Sequence, residues 1–246
     1  MINAGDTAMK SRKTERFWET FLFLTVLLTL LGSLVWVAVT MARAPVETSE
    51  AHVRVKSDYV LMLLQCLVGV LAMGLPALLR KKWGLHIPSR MMILYVVFLY
   101  ASIYLGEVRN FYYRIPHWDN ILHGFSGLML GALSFSVIRL LNKSERVPLT
   151  LSPAFVAVFT FCFAVTVGVV WEVFEFAADG LLGTNMQKFG PWDGAAFEGR
   201  AALRDTMIDL IVDSLGALVM AVVGYVSMKF QKGWVEKLQL HVHKNT

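Results

Sequence analysis

Eight carboxylates and two histidines gather at the ends of four long apolar segments that are far apart in the chain. His117, Asp119 and His123 open one segment, Glu172, Glu175 and Asp179 close another, Asp205, Asp209 and Asp213 open a third, and Glu107 closes a fourth. An ionisable side chain inside a bilayer is expensive, so it marks a site by default. Spacing sharpens the pattern. Asp119 and His123 are one turn apart, about 6 Å along a helix axis. Glu172, Glu175 and Asp179 follow i, i+3, i+7, and Asp205, Asp209 and Asp213 follow i, i+4, i+8, so each set forms one stripe. Carboxylates held within a few ångströms of one another cannot all stay ionised, because like charges and low dielectric both favour the protonated form. His123, Glu172, Glu175, Asp209 and Asp213 lie one or two turns inside the apolar segments and are the candidate ligands of a divalent metal, whose identity the residues leave open. Salt bridges to arginine and shared protons are the alternatives to a metal. Asp119, Asp179 and Asp205 fall in the interfacial turn, where a solvated cap or a charge favoured by the helix dipole explains them as well.

Two classes of chemistry use such a cluster. In a metal-dependent hydrolase the ion would polarise a phosphoryl or carbonyl oxygen and activate water, with Glu175, Asp119 and Asp213 as the catalytic carboxylates and Glu175 the first choice of base. Arg109, Arg114 and Arg204 lie near the same ends and are candidates to hold a substrate phosphate. In a transporter or lipid translocator the acids would instead bind protons or a cation during alternating access, although no broken helix or inverted repeat is evident. A structural subunit would explain the helices and leave the buried acids unexplained. A nucleophile motif and a nucleotide loop are both missing, which disfavours Ser or Cys hydrolases and ATP-driven pumps.

The elements that must position these residues are membrane helices. Of 246 residues, 56% are hydrophobic and 17% charged, and several apolar runs exceed the ~20 residues that span a bilayer. The expected fold is an all-α polytopic bundle of about six transmembrane helices, without a separate soluble domain. The spans fall near Phe17–Met41, Tyr59–Leu79, Met91–Val108, Asp119–Leu141, Leu151–Ala178 and Thr206–Met228. With the N-terminus cytoplasmic, fifteen of the 23 Lys and Arg residues lie on the inner side, so both termini are expected inside and the acids outside. The net charge of +5 fits orientation and contact with anionic lipids, and gives no reason to invoke nucleic acid. The basic start and Ala42-Arg43-Ala44 resemble a secretory signal, but the apolar run from Phe17 is long enough to favour an uncleaved span. Cys66 and Cys162 fall mid-span and read as packing residues.

Smaller features serve the bundle. Gly127 with Gly131 and Ala217 with Ala221 are small-xxx-small pairs that let helices approach. Tyr100, Tyr104 and Glu107 share a face, while Tyr104, Tyr112 and Tyr113 suit interfacial anchoring. The loop from Gly180 to Arg204 joins two acidic stripes and holds five glycine or proline hinges with Phe189 and Trp192, so it is a candidate lid or an ordinary connection. His117 reads as solvated, and Gly233–His243 is the one stretch that suits a surface helix.

The stretch His117-Trp118-Asp119-Asn120-Ile121-Leu122-His123-Gly124-Phe125, then Trp171-Glu172-Val173-Phe174-Glu175, then Asp205-Thr206-Met207-Ile208-Asp209 with Asp213 and Gly216, resembles the YjdF-like family of bacterial inner-membrane proteins. More distantly it is similar to the VanZ-like family, in which Gln is usual at the position of Glu175 and Asn at that of Asp213. The resemblance covers roughly residues 109–223 and implies a multi-pass protein of the bacterial inner membrane with a polar site. VanZ-like proteins are associated with low-level glycopeptide resistance, and the YjdF-like family brings no activity to carry over. The partners expected are membrane lipids and, on the hydrolase reading of an outer-leaflet site, a lipid-linked or cell-envelope substrate, with the oligomeric state open.

Overall fold

In the computed structural model the described residues are 4–46, 54–142, 151–191, 195–235 and 241–242. The elements are α1 (Ala4–Arg43), α2 (Lys56–Trp83), β1 (Leu85–His86), α3 (Ser89–Leu99), which continues as a π-helix over Tyr100–Val108, α4 (Phe111–Arg114), α5 (Trp118–Asn142), α6 (Pro153–Leu182), α7 (Arg200–Lys229) and β2 (His241–Val242). Six stretches are long and apolar enough to cross a membrane: Thr14–Arg43, Lys56–Lys82, Ser89–Val108, Trp118–Ile138, Pro153–Leu182 and Arg200–Lys229. The protein is an all-helical membrane bundle, interrupted only by the two-residue antiparallel pair Leu85 to Val242 and His86 to His241 among the described residues. Pro148 and Trp192 lie outside the described residues, as does much of Gly233–His243.

Local signals explain most boundaries. Asp58 in the first turn of α2 accepts from the Val55 N–H at 2.9 Å, and the left-handed Gly84 closes that helix. At α6 the Ser152 hydroxyl accepts from the Phe155 N–H at 3.2 Å, Pro153 occupies the first turn, and Gly183 ends the helix at φ 65°. The sequence reading ended this span near Ala178 and began the last near Thr206. Both helices run further, because the polar stripes that looked like boundaries face the protein interior and do not stop the helix. Asp205 is consequently not a first-turn charge: α7 starts at Arg200, five residues earlier.

Two packing groups follow. The first, α1 to α3 with the π-helix, closes on Val26, Leu30, Cys66, Met73, Val96, Leu99 and Ile103. The second, α5 to α7, closes at one end on Ala132, Phe135, Val156 and Met220. In lipid the drive between helices is close packing rather than water exclusion, and small residues supply it here. A Cβ on Gly127 would stand 2.6 Å from the Asp213 carbonyl oxygen, and one on Gly216 would stand 2.6 Å from the Gly124 carbonyl oxygen. Ala217 and Ala221 are buried beside them. Cys66 is buried in the first group, whereas Cys162 is exposed on the outer face of α6, and both are free thiols.

The π-helix was not anticipated. Its register shows in the Arg109 N–H, which donates to the Tyr104 carbonyl five residues back at 2.8 Å. The wider turn leaves the Ala101 carbonyl to accept from the Trp118 indole N–H at 3.2 Å, tying the third span to the start of α5.

Candidate functional site

Histidine at the start of α5 is the hub. His123 Nδ1 lies 3.2 Å from Asp213 Oδ2, while Nε2 lies 3.8 Å from Asp119 Oδ1 and 3.9 Å from Glu172 Oε1. The shorter contact suits an Nδ1–H donating to Asp213; Nε2 then faces Asp119 and Glu172, as an N–H toward those acids or as a lone pair toward a cation held between them. Asp213 is itself fixed, since the Ser126 hydroxyl donates to its Oδ1 at 2.9 Å. Carboxylate, imidazole and, in the second of these states, lone pair form the arrangement that orients histidine ligands in metal proteins.

Two ligand-forming groups result. His123, Glu172 and Asp209 each offer an atom within 4.8 Å of the others, and all three residues are buried. Asp119, Asp205 and Asp209 form a second group by the same measure, half-buried except for Asp209. Asp209 therefore belongs to both, and its Oδ1 accepts from the Asn120 amide at 3.4 Å. Glu172 is 4% exposed, and neither carboxylate oxygen has a hydrogen-bond partner; its Oε1 faces His123 Nε2 at 3.9 Å. Leaving such a group ionised and unpaired is costly, so the carboxyl either carries a proton or faces a positive charge.

Three helices reach this point with different lengths. His123 is only five residues into α5, whereas its partner Asp213 is thirteen residues into α7. At 1.5 Å per residue, α7 begins about 12 Å beyond α5, and the cluster sits below its rim. Gly168 makes room for it, because a Cβ there would stand 2.7 Å from Asp213 Oδ2.

The loop after α6 folds back over the cluster's open side. Asp179 organises it, its Oδ1 accepting from the Thr184 hydroxyl at 2.6 Å and the Met186 N–H at 2.7 Å, and its Oδ2 from the Gln187 N–H at 2.9 Å. The Gln187 amide donates to Thr206 at 2.9 Å, and Asn185 donates to the Tyr113 hydroxyl at 3.2 Å and the Gly190 carbonyl at 2.7 Å. Lys188 takes a left-handed φ of 48° and points inward, with Nζ 3.8 Å from Asp119 Oδ2, 4.5 Å from the centre of the Tyr112 ring, and donating to the Met186 carbonyl at 2.7 Å. Burial disfavours its charge, but Asp119 and Glu175 more than offset that, so the ammonium is held above the usual lysine range. Burial likewise pushes the Tyr113 phenol up to about 12 and the Tyr112 phenol well above its ordinary value, so both stay protonated beside the loop.

The structure thus brings together Asp119, His123, Glu172, Asp209 and Asp213, with Asp205 joining the outer group. Glu175 is buried one turn from Glu172, outside both ligand groups. Asp213 stands on the Nδ1 side of the imidazole, where it orients His123. Asp179 holds the loop. Arg109, Arg114 and Arg204 are exposed at the rim and form no ion pair with an acid among the described residues. His117 is exposed and lies 3.3 Å from Asn120 Oδ1 through Nδ1. The sequence reading overlooked Lys188, Ser126 and Asn120. Ser126 and Asn120 were findable at helical spacing from His123 and Asp119, whereas nothing in the spacing of a loop lysine reveals its direction.

The model of the family described as Predicted membrane protein (DUF2238) matches residues 21–230, which takes in all six spans apart from a few terminal residues and every residue of the cluster. The chain belongs to that family. A protein of Thermotoga maritima described as an uncharacterized protein is 30% identical over 151 residues, covering 61% of this chain and 69% of that one. No solved structure matches.

Proposed function

We propose that this protein is a divalent-metal-dependent hydrolase of the bacterial inner membrane, with both termini cytoplasmic, acting at the outer leaflet on a lipid-linked or cell-envelope substrate. The observation that carries the reading is Glu172, buried with both oxygens without a hydrogen-bond partner, beside Nε2 of His123, whose ring Asp213 orients, and beside Asp209. Those three donors suit a hard or borderline divalent ion and leave coordination positions open. Such an ion would lower the pKa of a bound water and polarise a phosphoryl or carbonyl oxygen, and Glu175, buried one turn from Glu172, is the candidate base. Membrane lipids are the surroundings and the source of substrate. Of the two resemblances, the YjdF-like one is preferred as the finer reading of the family match, which lends the VanZ-like one no support.

A one-sided site favours catalysis over transport. On the far side of the cluster, Met220 packs against Gly131 and Phe135 against Gly224, and the polar side chains buried there, among them Ser134 and Thr160 hydrogen-bonded to each other at 2.7 Å, are uncharged among the described residues. Purified protein loaded with Mn²⁺ should cleave one member of a panel of phosphate-ester and acyl-ester lipids in mixed micelles, and chelator should stop it. Tight Mn²⁺ binding without turnover, together with cation flux in proteoliposomes, would replace this reading with the transporter. Orientation is tested separately: maleimide added outside the cell should label Glu198→Cys and spare Lys82→Cys, and the reverse pattern overturns the outer-leaflet assignment.

A further inference from the structure

The two ligand groups share Asp209, an arrangement that in isolation invites two metal ions bridged by one carboxylate. The two groups differ in what already faces them. The inner one contains Glu172, with unpartnered oxygens, and no lysine or arginine ion-pairs with any of its members among the described residues. The outer one contains Asp119, and the Lys188 ammonium lies 3.8 Å from it, roofed by the Tyr112 ring. We propose that Lys188 acts as a tethered cation of the outer group, so that the centre takes one divalent ion, at His123, Glu172 and Asp209, and not two.

The loop is built to hold that charge in place. Asp179 fixes the backbone on both sides of Met186, and the left-handed conformation at Lys188, uncommon for a residue with a side chain, turns the ammonium inward. A second divalent ion at the outer group would sit a few ångströms from a fixed positive charge in a low-dielectric setting, where repulsion is strong. A tethered ammonium needs no recruitment from solution, so it competes at high effective concentration. Lys188 is therefore a specificity-determining residue: it sets metal number, and with it whether chemistry runs on one ion or on a two-ion clamp.

This inference rests on the metal reading above and is tested apart from it by counting ions. Full-length protein in detergent is saturated with Mn²⁺, passed through a desalting column and analysed for Mn per chain and for spin coupling by electron paramagnetic resonance. The expected numbers are one for wild type, two coupled ions for Lys188→Met, one for Lys188→Arg, and one again for Lys188→Met combined with Asp205→Asn. Asp205→Asn alone should keep one ion with affinity within about threefold of wild type, which tests the idea even if Lys188→Met fails to fold. Two ions in wild type, one ion in folded Lys188→Met, or a tenfold loss of affinity in Asp205→Asn would overturn the role of Lys188 and leave the metal reading standing. No Mn²⁺ in wild type would overturn both.

Discussion

The first three spans and the last three are built from the same kind of apolar helix and solve different problems. Around Leu30 the first group buries aliphatic side chains and one thiol and no charge, its one acid near the site being Glu107, half-buried at the end of the π-helix. Around Asp209 the second group buries four acids and a histidine among helices brought together by glycine. Packing free energy in the first group goes into holding the fold, whereas in the second it also keeps like charges close, which no fold requires. The contrast teaches that the second group carries the site and the first braces it.

Substitutions that break this division rank by expected effect. Asp209→Asn should abolish Mn²⁺ binding and turnover, since Asp209 belongs to both ligand groups, yet leave the protein folded or raise its thermal midpoint by relieving repulsion. If it were half of a simple ion pair, removing it would strand its partner at ~3–5 kcal/mol, and the midpoint of unfolding in detergent separates the two outcomes. Leu30→Ala should do the opposite, costing about 2–5 kcal/mol by leaving a cavity, with Mn²⁺ affinity of the folded fraction unchanged. Should Leu30→Ala weaken metal binding as strongly as Asp209→Asn, the two groups are not separable.

Asp213→Asn sharpens the comparison within the site. Losing the carboxylate that orients the imidazole should weaken Mn²⁺ roughly 10- to 100-fold without abolishing it, as read by titration. The smallest effect concerns pH. The folded pKa of Lys188 is raised, so the stability its ion pair contributes is fully present below the ordinary lysine value of about 10.4 and is lost only as pH rises through the folded value. Amide exchange at residues 184–190, corrected for intrinsic rates, should therefore be flat from pH 6 to 9. A transition near neutrality would show that another group holds the loop.

The all-helical membrane fold was legible because hydropathy and length alone decide it, and the acids were legible because charge inside an apolar run is rare. The stripes also misled at two places: Asp205, which seemed to start α7, lies five residues inside it, and α6 runs on past Asp179 to Leu182, since a stripe turned toward protein does not need water. Spacing along one helix told which acids share a face, but the offset between α5 and α7 decides which atoms meet, and that depends on how far each helix projects. Lys188 was hidden for a different reason. Its direction is set by Asp179 and by a left-handed backbone, neither of which follows from periodicity.

The π-helix at the end of the third span has a historical reading. A π turn holds more residues than an α turn over nearly the same rise, so it is what an α-helix becomes when one residue is inserted and the ends stay anchored. Here the anchors are the apolar core near Leu99 and the Trp118 indole on the Ala101 carbonyl. An ancestor with one residue fewer between Tyr100 and Val108 would have carried a plain α-helix of almost the same length, with Glu107 and the following turn swung about 100° around the axis. Deleting one residue between Tyr100 and Val108 would therefore carry the Tyr112 ring away from Lys188 at the mouth of the cluster. Relatives that lack the extra residue should also lack an aromatic partner for the loop.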